Sequence, residues 1–251
     1  MCSINHDLQT IFIHIPKNGG TYIQYNLKNY YNFENYLIKK ENHDINYNFD
    51  NKEELKKRFG IRYYGISKFI KNTPHNRIDG IYKYCTDSLD INKKTDMTNK
   101  KWENYKKFCV IRDPYKRIIS GYIYNINYLN TNDSFEYCIF NIDKLTDFEY
   151  YHMIIPQFKH IIDENNNLIC DYTINFDNLE IEFKETLKNI GINKILHDTK
   201  IKNSGNYEKN INNYINNQKI LDKVNELIEL DFIYFNFKKY EDINEFYNIY
   251  K

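Results

Sequence analysis

Apolar residues in this chain gather into short runs separated by polar stretches dense in Asn, Lys and Asp. Ile11, Phe12, Ile13 and Ile15 make a continuous apolar run, the mark of a strand buried on both faces. Pro16 closes it, because proline offers a sheet ladder no N–H. From Thr21 the period lengthens: Ile23 and Leu27 lie four apart and Tyr30 three further on, which predicts a helix. The order repeats later. Trp102 and Tyr105 lead into a second apolar run, Phe108 to Ile111, then come Pro114 and Ile118, Ile119, Tyr122 and Ile126 at helical spacing. Asp177-Asn-Leu-Glu180 has the spacing of a capping box, with Asp in place of Ser or Thr. It predicts a helix carrying Leu179, Phe183 and Leu187 on one face and stopping near Gly191. Another helix, around 218–230, presents Ile220, Leu221, Val224, Leu227 and Ile228. Both stripes read as core. Strands alternating with helices predict an α/β fold: a doubly wound, P-loop-like parallel sheet flanked by helices, in a single domain over 1–251.

Composition sharpens this. A chain of 251 residues can bury a sizeable core. With 35 basic and 34 acidic residues the net charge is +1, which excludes a global nucleic-acid footprint and leaves basic surface only as a local feature. Alanine is absent, and the abundance of Asn, Ile, Lys and Tyr reads as an AT-rich coding sequence, so Lys and Asn density carries little functional meaning. The 25 Tyr and 16 Phe are expected to fill core space, with some rings suited to stack on an adenine or a sugar. Cys2, Cys85, Cys109, Cys138 and Cys170 are scattered and odd in number, against a disulfide framework or a zinc site. Cys109 and Cys170 are expected to be buried thiols. No run approaches the ~18 apolar residues of a membrane span. A first strand near Ile11 leaves no room for a signal peptide, so the expectation is a cytoplasmic protein with no membrane partner.

Chemistry concentrates at the two strand ends. After the first run, Lys17, Asn18, Gly19, Gly20 and Thr21 lead into the helix. Glycines allow backbone angles closed to other residues, and a helix N-terminus points N–H groups and a positive dipole end at an anion. Lys17 adds a charge and Thr21 a hydroxyl, which together suit a phosphate; the plain alternative is a strand-to-helix turn with a surface lysine. This is not a Walker loop, where lysine follows the last glycine. After the second run, Arg112 offers a rigid fork of donors, and Ser120 lies two turns into the helix. The alternative there is that Arg112 and Asp113 pair with each other or cap the helix.

The two segments resemble those of PAPS-dependent sulfotransferases, especially the carbohydrate group that includes heparan sulfate 2-O- and 6-O-sulfotransferases and soluble bacterial relatives. Ile15-Pro-Lys-Asn-Gly-Gly-Thr21 is similar to the loop that holds the 5′-phosphosulfate, with Asn18 for the more usual Thr or Ser. Arg112-Asp-Pro-Tyr-Lys-Arg-Ile-Ile-Ser-Gly-Tyr122 is similar to the segment that holds the 3′-phosphate. Asp171 to Glu180, Ile190-Gly-Ile192, Leu196-His197, Asn203-Ser204 and Tyr207 follow in the family's order, and Glu229 to Phe235 resembles its acidic helix end and aromatic strand. The resemblance implies PAPS as cofactor, PAP as product, no metal, and binding through Lys17, Asn18, Gly19, Gly20, Thr21, Tyr22, Arg112 and Ser120. It implies a hydroxyl acceptor, a sugar or glycan, bound by loops within residues 32–100.

The resemblance also exposes a departure. Where many members carry a Lys-His-x-Thr stretch with the general base, the nearest match is Lys83-Tyr-Cys-Thr86, with Tyr84 in the histidine's place. A phenol with its ordinary pKa of about 10 is a poor base at neutral pH, whereas histidine is suited to it. His75 and His43 are the other residues of that stretch able to serve, and His14 is expected to turn toward the sheet or a neighbouring backbone group. Lys17 would stabilise charge on the leaving phosphate, and two rival readings stand beside this one, the first supported by Tyr84 in the histidine's place. One is an inactive nucleotide-binding or scaffold relative; the other is an ATP-dependent phosphotransferase, disfavoured by the missing Walker lysine.

Overall fold

The computed structural model describes residues 2–36, 99–129, 132–146, 149–162, 167–192 and 211–250. His43, His75, Tyr84, Cys85, Leu196, His197, Asn203, Ser204 and Tyr207 lie outside them, as does most of the 32–100 acceptor segment. In chain order the elements are β1 (Cys2–Asn5), β2 (Thr10–Ile13), α1 (Gly20–Tyr30), β3 (Glu34–Tyr36), α2 (Asn99–Asn104), β4 (Lys106–Ile111), α3 (Pro114–Leu129) and α4 (Phe135–Phe140). A π-helical turn (Tyr150–Ile154), a 3-10 turn (Gln157–His160), β5 (Tyr172–Asn175) and a second 3-10 turn (Phe176–Asn178) come next. The chain closes with α5 (Leu179–Asn189), α6 (Gln218–Leu227), α7 (Glu229–Phe235) and α8 (Ile243–Ile249). These form two compact units, one of residues 1–111 with 160–201 and one of 112–159 with 202–251.

The first unit is built on a five-stranded sheet of order β3-β1-β2-β4-β5. β2, β4 and β5 are parallel, with Phe12 opposite Phe108 and Val110 opposite Ile174. This is the expected α/β fold with a parallel core. On the far side of β2 the sheet continues through β1 and β3, each paired antiparallel, so the first strand is Cys2–Asn5 rather than the Ile11 run. β1 escaped prediction because it hides polar residues. Ser3 and Asn5 are buried, and the Asn5 amide donates to the Tyr31 carbonyl at 2.9 Å while its oxygen accepts the Leu8 N–H at 2.8 Å. Satisfied in this way, Asn5 costs little inside. One face of the sheet presents Phe12, Phe108, Val110 and Ile174 to Ile23 and Leu27 of α1 and to Phe183 and Leu187 of α5.

The start of α5 corrects the capping expectation. Asp177 does not cap; Asn175 does, its oxygen accepting the Asp177 N–H at 3.0 Å, while Glu182 accepts the Asn175 N–H at 2.6 Å. A 3-10 turn inserted before the helix moves the cap two residues earlier. The other end follows expectation. Ile192 N–H bonds the Leu187 carbonyl and Gly191 N–H the Lys188 carbonyl, with Gly191 at φ 93°, a Schellman stop.

The second unit is helical. Its core joins Ile118, Ile119 and Ile123 of α3, Cys138 and Ile139 of α4, and Ile220, Leu221 and Val224 of α6. Tyr115 is fully buried, touching the rings of Phe232, Tyr240, Phe246 and Tyr250, so aromatics do fill the core. The predicted helix 218–230 ends at Leu227, and the stretch expected to close as an aromatic strand is the helix α7. Alternation of Phe232 and Phe235 with exposed Ile233 and Tyr234 suits either period over so short a run; burial of Asp231 and Phe232 on one face selected the helix. Cys109 is buried as expected, but Cys170 only half-buried.

Candidate functional site

The turn after β2 is built by its backbone. Lys17 sits at φ 69° and Gly19 at φ 72°, both in the left-handed region. Gly19 takes that conformation at no steric penalty; Lys17 carries a strain that a non-glycine residue rarely bears outside sites where backbone shape matters. Asn18, between them, is buried, and its amide donates to the Val110 carbonyl at 2.6 Å, pinning the turn to the end of β4. A Cβ on Gly19 would lie 2.9 Å from the Phe176 ring.

Gly20 is needed for another reason than the one its sequence suggests. It is already the first residue of α1, without a positive φ. A Cβ there would overlap the His14 imidazole, which stacks on Phe12 with ring centroids 6.2 Å apart. His14 therefore turns back over the turn and occupies the space the missing side chain leaves. Thr21 is exposed in the first turn of α1, a turn with no acidic residue to offset the helix dipole. Tyr22 is half-buried, its ring edge against Phe183 at 6.4 Å.

The exit of β4 is held by side chains. Arg112 follows the last strand residue and is itself buried, an unusual place for arginine. Gln157 brackets its main chain: the Gln157 oxygen accepts the Arg112 N–H at 2.8 Å and its amide donates to the Arg112 carbonyl at 2.7 Å. Asp113 is the cap of α3, its Oδ1 accepting the Lys116 N–H at 2.9 Å and its carbonyl the Arg117 N–H at 2.9 Å, with Pro114 as the first helical residue. Its other carboxylate oxygen accepts from the Tyr250 hydroxyl. Ser120 is half-buried on α3. Gly121 lies against the π-helical turn, where a Cβ would come within 2.5 Å of the His152 carbonyl.

Beneath this turn lie Arg117 and Asp231, both fully buried. Burial pushes the Asp231 carboxyl up, opposed by the Arg117 charge and by N–H donors from Gln157 and Phe158. Burial works against the Arg117 charge, and Asp231 supports it. Gln157, Asp231 and the His14–Gly20 contact were not apparent from sequence. Among the described residues no cluster of three or more His, Cys, Asp or Glu is placed to hold a metal, and no helix is long and apolar enough to cross a membrane.

Lys17 lies in the turn between β2 and α1, and Arg112 follows the last residue of β4. A sulfotransferase family model matches residues 2–179, which spans β1 to the start of α5 and both turns. The chain belongs to the sulfotransferase family, and sulfuryl transfer in general is what that membership supports. Neither the curated proteins nor the solved structures give a match.

Proposed function

We propose that the protein transfers a sulfuryl group from PAPS to a hydroxyl acceptor, a sugar or glycan, as a single-domain cytoplasmic enzyme. The observation that carries this reading is Lys17 held at φ 69° between β2 and α1, within the family-matched segment. Strain of this kind persists where surrounding structure over-determines it, and here the Asn18–Val110 bond and the His14–Gly20 contact do so. A phosphate-bearing donor fits these residues: a cationic side chain, two left-handed residues that turn main-chain N–H groups, and a helix N-terminus without its own acid.

Lys17, Asn18, Gly19, Gly20, Thr21 and Tyr22 form the 5′-phosphosulfate segment, and Arg112 and Ser120 take the 3′-phosphate. When bound, PAPS supplies the sulfuryl group and departs as PAP. Lys17 and the main chain of its turn stabilise the negative charge that grows on the leaving phosphate oxygen, the kind of preorganised electrostatics that usually supplies the largest catalytic contribution. A base from the 32–100 segment, His75 or Tyr84, takes the acceptor proton.

Thermal unfolding with PAP, PAPS, ATP and ADP, each with and without Mg²⁺, tests the donor. A ligand at a hundred times its Kd stabilises a fold by about 2.7 kcal/mol. Metal-independent stabilisation by PAP is expected, lost in Arg112→Ala. Silence toward PAP would sink the reading, and stabilisation by ATP alone would point to phosphoryl transfer.

A further inference from the structure

We propose that Gln157 and Asp231 are positioning residues for donor binding: they fix the main chain from which the Arg112 guanidinium meets the 3′-phosphate. The proposal rests on the role given to Arg112 above. Gln157 makes with one side chain the pair of bonds that a neighbouring strand makes with its main chain, one to the Arg112 N–H at 2.8 Å and one to its carbonyl at 2.7 Å. Strand-like order is thereby carried one residue past the end of β4, onto Arg112 itself.

A carboxamide alone would swivel about its last bond. Asp231 prevents this. Its Oδ2 accepts the Gln157 side-chain amide at 3.2 Å and the Gln157 main-chain N–H at 3.0 Å, while its Oδ1 accepts the Phe158 N–H at 2.9 Å. The same network orients the amide, because the flipped form would set the Gln157 oxygen against a carboxylate and its NH₂ against an N–H. Tyr234, further along α7, stacks on Phe158 at 3.4 Å, so the helix grips the 157–158 turn twice.

Gln157 and Asp231 are both fully buried. A buried carboxylate is costly unless paired and hydrogen-bonded. An apolar side chain would pack this space without such a charge, so packing alone does not account for it. What the charge adds is direction. An arginine fork binds a phosphate through both arms only when its base is aimed, and a shift of about 1 Å is enough to loosen such a contact.

The test is isothermal calorimetry on the full chain with PAP and with adenosine 5′-phosphate, which lacks the 3′-phosphate. Variants are Arg112→Ala, Gln157→Leu, Asp231→Asn and the Arg112→Ala/Gln157→Leu double. Gln157→Leu is expected to weaken PAP about tenfold and to leave adenosine 5′-phosphate unchanged. The double variant should bind PAP no more weakly than Arg112→Ala. Should Gln157→Leu not fold, Asp231→Asn, which keeps shape and one acceptor, must show the same selective loss. Equal weakening of both nucleotides, or additive losses in the double, would overturn positioning in favour of a structural role. If Arg112→Ala itself leaves PAP binding intact, the assignment of Arg112 fails first, a separately visible result.

Discussion

β2 and β4 both end near a proline and both lead into a helix, yet the turns that follow are held by different means. After β2 the shape is written in the backbone: Lys17 and Gly19 at positive φ, and Gly20 bare so that His14 can lie over it. After β4 the backbone is ordinary: a buried relay of Asp231 and Gln157 holds Arg112, and the half-buried Asp113 caps α3. The first turn spends conformational strain, and Asn18 ties it to Val110, 92 residues away. The second is also long-range and spends buried charge. They should therefore fail differently when perturbed.

The largest effect is expected from the second turn. Asp231→Ala leaves Arg117 buried opposite no carboxylate and should cost about 3–5 kcal/mol, read from urea unfolding. Adding Arg117→Met to Asp231→Ala should recover only the part of that loss due to the buried guanidinium, because the Gln157 and Phe158 N–H donors still lack their acceptor. A cost below about 1 kcal/mol for Asp231→Ala would mean the relay does not hold the turn.

Next comes Gly20→Ala, which forces its new methyl into His14 and should destabilise by about 1–3 kcal/mol. In a His14→Ala background the same change should cost far less; equal cost in both backgrounds would remove His14 as the reason for the glycine. Lys17→Gly has a mixed outcome that only a strained functional residue gives. It should gain roughly 1 kcal/mol of stability by relieving the positive φ while turnover falls at least about tenfold. Unchanged turnover would remove Lys17 from the chemistry.

The smallest effect is alkaline. In the second unit burial pushes the Tyr115 and Tyr250 hydroxyls up and the Cys138 thiol up to about 12. Each group then holds its proton more tightly folded than unfolded. Stability from them is complete below the unfolded pKa, about 9 for a thiol and 10 for a phenol, and is lost as pH rises through the folded values. Cys138→Ala should flatten that slope between about pH 9 and 12; a slope identical to wild type would argue that Cys138 does not titrate there.

Much of the fold was legible because it rests on short-range pattern. Continuous apolar runs marked β2 and β4, the 3.6-residue period marked α1, α3 and α5, and Gly191 marked the end of α5. The exceptions share a cause. β1 buries Ser3 and Asn5, whose partners lie elsewhere in the chain, and α7 is too short for its period to be told from a strand's. Within the candidate site, the residue types suited to a phosphate were visible, but the two positive-φ residues, Lys17 and Gly19, were not the two glycines that suggested the turn.

By itself the sequence determined which segments are strands and helices at the parallel core, because periodicity and turn residues act over a few positions, and it offered the candidate side chains for the chemistry. The tertiary structure decided what holds those side chains in place. Gln157 meets Arg112 across 45 residues and Asp231 meets Gln157 across 74. No local pattern records such a pairing, since the free energy that selects it, the satisfaction of buried polar groups, exists only once the chain has closed around them.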